Sequence, residues 1–83
     1  MKVTVRTFAA YRELLGKPEF HLEVPTGATA LFAVKKVFGE KMEEWKQLEA
    51  STLFAVNREY VKSDQILEEG DELSVLPPLA GGN

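Results

Sequence analysis

Apolar and polar residues alternate in three segments of the chain, which is the pattern of a strand with one buried face. These segments are Lys2–Phe8, Glu19–Val24 and Glu72–Leu76. The segment Leu53–Asn57 is mostly apolar and predicts an inner strand, and Tyr60–Val61 predicts a short edge strand. The first two strands are close in sequence, so we expect them to pair in antiparallel fashion.

Two segments show helical spacing instead. Thr29 is a favourable N-cap for a helix over Ala30–Phe38, which a glycine ends. Glu40–Leu48 predicts a second, shorter helix with Trp45 facing the core. The residues of the first helix that follow helical spacing are Leu31, Val34, Val37 and Phe38.

The connecting segments carry turn signals. Ala9–Leu15 predicts a short helical turn that Gly16 closes. Ile66 and Leu67 are expected to anchor a loop to the core, and Gly70 to supply the positive φ of a tight turn. The element order is therefore strand, strand, helix, strand, short strand, strand. This order predicts an α+β roll, a sheet with a helix packed across one face.

Composition narrows the function. The chain has 83 residues and a mass of 9.3 kDa, enough for one domain. It has no cysteine and one histidine, which excludes a disulfide framework, a thiolate zinc site and a cysteine nucleophile, and leaves no metal site to expect. That histidine, His21, lies between two outward-facing glutamates and is expected to be solvated. With no apolar run of membrane length and no signal peptide, we expect a cytoplasmic protein without a membrane partner.

Charge is uneven along the chain. Residues 1–39 carry six Lys/Arg and three Asp/Glu, whereas residues 40–83 carry four Lys/Arg and ten Asp/Glu. The net charge of the whole chain is −3. An acidic protein is a poor candidate for binding nucleic acid, which needs a basic face to neutralise phosphates. The acidic half fits solubility or a basic protein partner better.

Three apolar residues fall at the outward phase of their strands. Phe8 lies opposite the inward valines of the first strand, Leu76 lies opposite those of the last, and Leu53 falls on the same outer face. Exposed apolar residues on neighbouring strands predict a docking patch for a partner.

The tail has the shape needed to enter another protein. Its two prolines stiffen the root, and its glycines and alanine give the smallest cross-section that a chain can have. The residues expected to enter or contact a partner are Pro77, Pro78, Leu79, Ala80, Gly81 and Gly82.

Several segments together carry a specific resemblance, which spans nearly the whole chain. They are Phe8–Gly16, Pro25–Thr29, Val56–Val61, Leu67–Leu73 and Leu76–Gly82. These segments resemble MoaD, the small subunit of molybdopterin synthase, which belongs with ThiS among the ubiquitin-like sulfur carriers. The Pro-Pro-Leu-Ala-Gly-Gly ending favours MoaD, because ThiS tails usually lack the double proline.

The resemblance implies a β-grasp (ubiquitin-like) fold, a mixed sheet of about five strands with one main helix across one face. It places the first and last strands side by side and parallel in the centre of the sheet. It also divides the chain into a β-grasp domain, residues 1–78, and a flexible C-terminal Gly-Gly tail, residues 79–83.

The resemblance further implies a chemical role. An E1-like enzyme of the MoeB type uses ATP to adenylate the carboxylate of Gly82, and a sulfur donor protein converts it to a thiocarboxylate. The tail, with Gly81 before the reactive residue, then enters the large synthase subunit, MoaE, and sulfur passes to a pterin precursor. The chain alone is not expected to be catalytic or to bind a cofactor. Arg12 matches a family position that supports the partner interface; the alternative is a surface salt bridge with Glu13 or another acid.

Asn83 departs from the family pattern, in which the chain ends at the second glycine. Proteolytic removal, a residue added in cloning and loss of the chemistry are the three interpretations. Other functions also stay open: sulfur delivery for thiamine or tRNA thiolation, conjugation to target proteins as a ubiquitin-like modifier, and a β-grasp binding module without tail chemistry.

Overall fold

The computed structural model describes residues 1–78, which form one five-stranded mixed sheet with helices on one face. The five predicted strands are all present, with small shifts at their ends. They are β1 (Lys2–Thr7), β2 (Glu19–Glu23), β3 (Leu53–Val56), β4 (Glu59–Val61) and β5 (Glu72–Leu76). The predicted tail, residues 79–83, lies outside the described residues.

The strand order across the sheet is β2-β1-β5-β3-β4. β1 and β2 pair in antiparallel fashion, whereas β1 and β5 run parallel in the centre of the sheet, as expected. β3 pairs antiparallel with both β5 and β4. The first and last strands of the chain are therefore neighbours in the middle of the sheet. Because they run parallel, their C-terminal ends lie at the same end of the sheet.

In the described part of the chain, three helices cover the inner face of the sheet. They are α1 (Ala9–Leu15), α2 (Ala30–Phe38) and α3 (Met42–Leu48), and short 3-10 turns flank α3 at Gly39–Lys41 and Glu49–Ser51. The Thr29 hydroxyl accepts a hydrogen bond from the Phe32 amide at 3.1 Å, so the predicted N-cap of α2 is confirmed. Gly16 ends α1 in the left-handed conformation, φ 83°, as predicted. None of the helices in residues 1–78 is long and apolar enough to cross a membrane.

The core lies between the sheet and these helices. Trp45 is fully buried, as predicted, and its ring centroid lies 5.0 Å from that of Phe38 and 6.3 Å from that of Phe54. The inward residues of the alternating strands are buried with it: Val3, Val5, Leu73 and Val75.

A buried hydrogen-bond chain joins α1 to the start of β3. The Thr52 hydroxyl donates to the Leu48 carbonyl at 2.7 Å. Because a hydroxyl has one proton, the Tyr11 hydroxyl, 2.9 Å from Thr52 Oγ1, must be the donor in that second bond. Both side chains are buried, so these two hydrogen bonds hold α1 in place beneath the sheet.

One predicted packing position is wrong. Ile66 was expected to anchor its loop, but it is 57% exposed, while Leu67 is buried. The two residues lie in extended backbone, where neighbours point to opposite sides, so only one can reach the core. On α2, the predicted helical spacing is confirmed, since Leu31 and Val37 are partly buried and pack against the core beside the fully buried Ala30, Ala33, Val34 and Phe38.

Candidate functional site

The face of the sheet opposite the helices carries the side chains that the alternation predicts to point outward. The register aligns Arg6 with Ser74, Ser74 with Ala55, and Ala55 with Tyr60. These four residues form one row across β1, β5, β3 and β4. Since no helix within residues 1–78 covers this side, we call it the outer face.

Phe8 lies on this face directly after β1, at the end of the sheet where β1 and β5 both terminate. β1 stops one residue earlier than predicted, because Phe8 is the N-cap of α1 and the backbone turns at Ala9, where φ is 53°. The Phe8 side chain is 40% exposed and borders the same hollow as Arg6 and Ser74, so it belongs to the outer face. Its predicted exposure is confirmed.

Leu53 and Leu76 face each other directly across β3 and β5. Both side chains are half-buried rather than fully exposed, because paired residues on one face of a sheet cover part of each other. Thr7 pairs with Val75, so the next residues on the two strands, Phe8 and Leu76, lie at the same end of the sheet. The structure therefore brings Phe8, Leu53 and Leu76 together at one end of the outer face.

Tyr60 is an additional outer-face residue that the sequence analysis assigned only to an edge strand. It pairs with Ala55 and is 63% exposed. A two-residue turn between β3 and β4 makes Val56 face Glu59 and hence Ala55 face Tyr60, so the hairpin pattern could have revealed it. We define the outer patch as Phe8, Leu53, Tyr60 and Leu76.

An ion pair lies next to the outer patch. Arg6 Nη1 donates to Glu72 Oε2 at 2.9 Å between neighbouring strands. This hydrogen bond and the charge of Glu72 raise the pKa of Arg6 above its already high ordinary value, so the guanidinium stays charged. Exposed pairs of this kind contribute little stability, but they hold both side chains in defined positions.

The root of the tail lies directly beside the outer patch. Pro77 and Pro78 are exposed and follow Leu76 at the end of β5. The tail residues predicted to be functional, Leu79, Ala80, Gly81 and Gly82, lie outside the described residues.

Arg12 is exposed on α1. Within residues 1–78 the ion pairs of lysine and arginine side chains are Arg6–Glu72 and Lys46–Glu43, so the alternative of a salt bridge between Arg12 and Glu13, or another acid in this range, is wrong. The expected role of Arg12 at a partner interface stays a prediction. His21 is solvated as expected, with 77% of its side chain exposed.

Comparison with known proteins identifies the family. The sequence profile of the ThiS family matches residues 5–82. The chain belongs to the ThiS family. The predicted family is therefore confirmed, and the match includes the Gly-Gly pair of the tail.

Two curated relatives with the same name are similar to this chain. The chain is 39% identical to the molybdopterin synthase sulfur carrier subunit of Drosophila melanogaster, covering 99% of this chain and 92% of the relative. It is 30% identical to the protein of the same name from Arabidopsis thaliana, covering 99% of this chain and 84% of the relative. These similarities agree with the preference for MoaD within the family.

Solved structures confirm the β-grasp fold. A putative molybdopterin converting factor subunit 1 from Pyrococcus furiosus matches with a TM-score of 0.79 and 32% identity, over 95% of this chain and 99% of that one. SAMP1 from Haloferax volcanii matches with a TM-score of 0.83 over 99% of this chain and all of that one, but its 21% identity shows the fold alone. A complex of subunits 1 and 2 of molybdopterin-converting factor from Helicobacter pylori matches with a TM-score of 0.63 and 28% identity, over 99% of this chain and 100% of the matched chain.

Proposed function

We propose that this chain is the sulfur carrier subunit of a molybdopterin synthase. The observation that carries the proposal is a family match that runs through Gly82, together with relatives of that name aligned along nearly their whole length. A β-grasp domain that ends in a narrow glycine tail suits the delivery of a reactive group into a partner's active site.

The reactive group is the α-carboxylate of Gly82. A carboxylate is a poor electrophile, so a carboxylate oxygen first attacks the α-phosphorus of ATP and displaces pyrophosphate. Hydrosulfide released by a donor protein then attacks the carbonyl carbon of the acyl adenylate. The C–S bond forms, AMP leaves, and loss of the sulfur's proton gives the thiocarboxylate. The sequence has no phosphate-binding glycine loop with a following lysine, so an E1-like enzyme of the MoeB type supplies this activation.

This chemistry requires that Gly82 carry a free carboxylate. Asn83 must therefore be removed before activation, because with Asn83 in place the carbonyl of Gly82 is part of a peptide bond. Hydrolysis of the Gly82–Asn83 peptide bond frees this carboxylate.

The large synthase subunit is the partner that receives the sulfur. The related Helicobacter pylori protein is found in a complex of subunits 1 and 2, which supports a partner of this kind. The outer patch is the proposed docking surface, since it contains exposed aromatic residues, Phe8 and Tyr60, and borders Pro77 at the tail's root. A partner that takes in the tail must also meet Leu76, which directly precedes the prolines.

Intact mass spectrometry of the protein from its native cells tests this proposal. We expect a chain that ends at Gly82, with a fraction heavier by the exchange of one oxygen for one sulfur. Incubation with the large subunit and the pterin precursor should convert that fraction back to the carboxylate. A full-length chain that retains Asn83 and nevertheless carries sulfur would contradict the assignment of Gly82. Isopeptide conjugates to lysines of other proteins, without any thiocarboxylate, would support a modifier instead.

A further inference from the structure

The two-residue turn between β3 and β4 contains an unexpected arginine. Asn57 has φ 51° and Arg58 has φ 74°, so both residues adopt the left-handed conformation. Two-residue hairpin turns with positive φ at both positions favour Asn followed by Gly. Asparagine fits the first position, but at the second a side chain with a Cβ atom is strained relative to glycine.

Asn57 has a clear structural role in this turn. Its Nδ2 donates to Asp71 Oδ1 at 2.9 Å, and its Oδ1 accepts from the Glu72 amide at 3.0 Å. Arg58, in contrast, makes no side-chain hydrogen bond or ion pair with any residue of the described part of the chain, positions 1–78. The stability of the turn therefore does not account for arginine at a position where glycine is less strained.

The location of Arg58 suggests a functional reason. Arg58 lines a hollow of about 310 Å³ on the outer face, and Arg6, Phe8, Glu72 and Ser74 complete its walls. The charge of Glu72 is already paired with Arg6 at 2.9 Å. Arg58 therefore adds a second positive charge next to Phe8, within a protein whose net charge is −3.

We propose that Arg58 is a specificity-determining residue that binds an Asp or Glu carboxylate of the large synthase subunit when that subunit docks on the outer patch. This inference rests on the proposed function and names the chemistry of the partner's contact. A guanidinium binds a carboxylate through charge-assisted hydrogen bonds, and arginine can make two of them in parallel. Backbone strain of this kind persists at functional sites, where the side chain it presents is needed.

The substitution Arg58→Gly separates the effect of Arg58 on the stability of the turn from its effect on partner binding. Glycine relieves the strain at φ 74°, so the melting temperature should stay equal or rise. The affinity for the purified large subunit from the same organism should nevertheless fall about ten-fold, as expected for loss of one charge-assisted hydrogen bond. Arg58→Lys should recover part of that affinity, because it keeps the charge but not the paired geometry.

Calorimetric titration at low and high salt measures these effects. The wild-type affinity should fall as salt is added, and Arg58→Gly should reduce that dependence. Lys35→Gln is the matched control, because it removes one positive charge from the exposed side of α2, away from the outer face, and should leave affinity unchanged.

The outcomes separate this inference from the proposed function. If the wild-type chain binds the large subunit and Arg58→Gly binds equally well with the same salt dependence, the role of Arg58 is wrong and the carrier function stands. If the wild-type chain does not bind the large subunit at all, the proposed function fails, and the role given to Arg58 fails with it.

Discussion

The exposed ring of Phe8 allows a quantitative test of the outer patch. Phe8 is 40% exposed, and a buried phenylalanine removes about 200 Å² from water, so a partner that covers the ring buries about 80 Å² more. At ~25 cal/mol per Å² this burial is worth about 2 kcal/mol. Phe8→Ala should therefore raise the Kd for the large synthase subunit about thirty-fold.

Phe32 provides a matched control for this experiment. It is 45% exposed, close to the exposure of Phe8, but it lies on α2, which packs on the opposite face of the sheet. Phe32→Ala removes the same side chain and should leave the Kd unchanged. Calorimetric titration of each variant with the large subunit gives both constants, and thermal unfolding shows whether either variant has lost its fold.

Leu76→Ala extends the test to the root of the tail. Leu76 is half-buried, so truncation should weaken binding less than Phe8→Ala.

Equal affinity of Phe8→Ala and the wild-type chain would refute the docking surface. A loss of affinity in Phe32→Ala equal to that in Phe8→Ala would show that the effect is not specific to the outer face.

Three further predictions concern the tail and the fold. Gly82→Ala and Gly81→Ala should abolish sulfur transfer, measured by mass spectrometry of the thiocarboxylate, while the melting temperature stays the same; a large fall in melting temperature would show that the tail is structural. Tyr11→Phe should lower the free energy of unfolding by about 1 kcal/mol, and Thr52→Val by about 2 kcal/mol, because the second change removes the bond to the Leu48 carbonyl and also leaves the buried tyrosine hydroxyl without a partner; a loss for Thr52→Val no larger than that for Tyr11→Phe in urea unfolding would contradict the stabilising role of these two bonds. Gly70→Ala should cost about 1 kcal/mol from its φ of 83° alone, because a Cβ there has open space, and a much larger loss would point to a contact that the structure does not contain.

Much of the fold could be predicted from local pattern. Val5 and Leu73 are buried because alternate residues of a strand point to opposite sides, whichever strand pairs with them. Trp45 is buried, and Thr29 caps α2, because these positions depend on residues only a few places away. The Gly-Gly tail is likewise a local signal, and on it the proposed chemistry depends.

The local sequence pattern fails where the burial of a side chain depends on a residue that is distant in sequence. Ile66 and Leu67 are both apolar, and only the loop's path decides which of them reaches the core. Leu53 is half-buried because it faces Leu76, which is far from it in sequence. Tyr60 joins the outer patch through the register of a hairpin.

The sequence by itself therefore determined the elements, their buried faces and the tail. The tertiary structure decided how the strands beyond the first hairpin are ordered in the sheet, because the parallel pairing of β1 with β5, which only the family resemblance led us to expect, joins the two ends of the chain through contacts that no local period encodes. That pairing brings Phe8 next to Leu76, and the β3–β4 turn presents Arg58 on the same face. A docking surface is made of residues distant in sequence, so its composition becomes visible only once the sheet has formed.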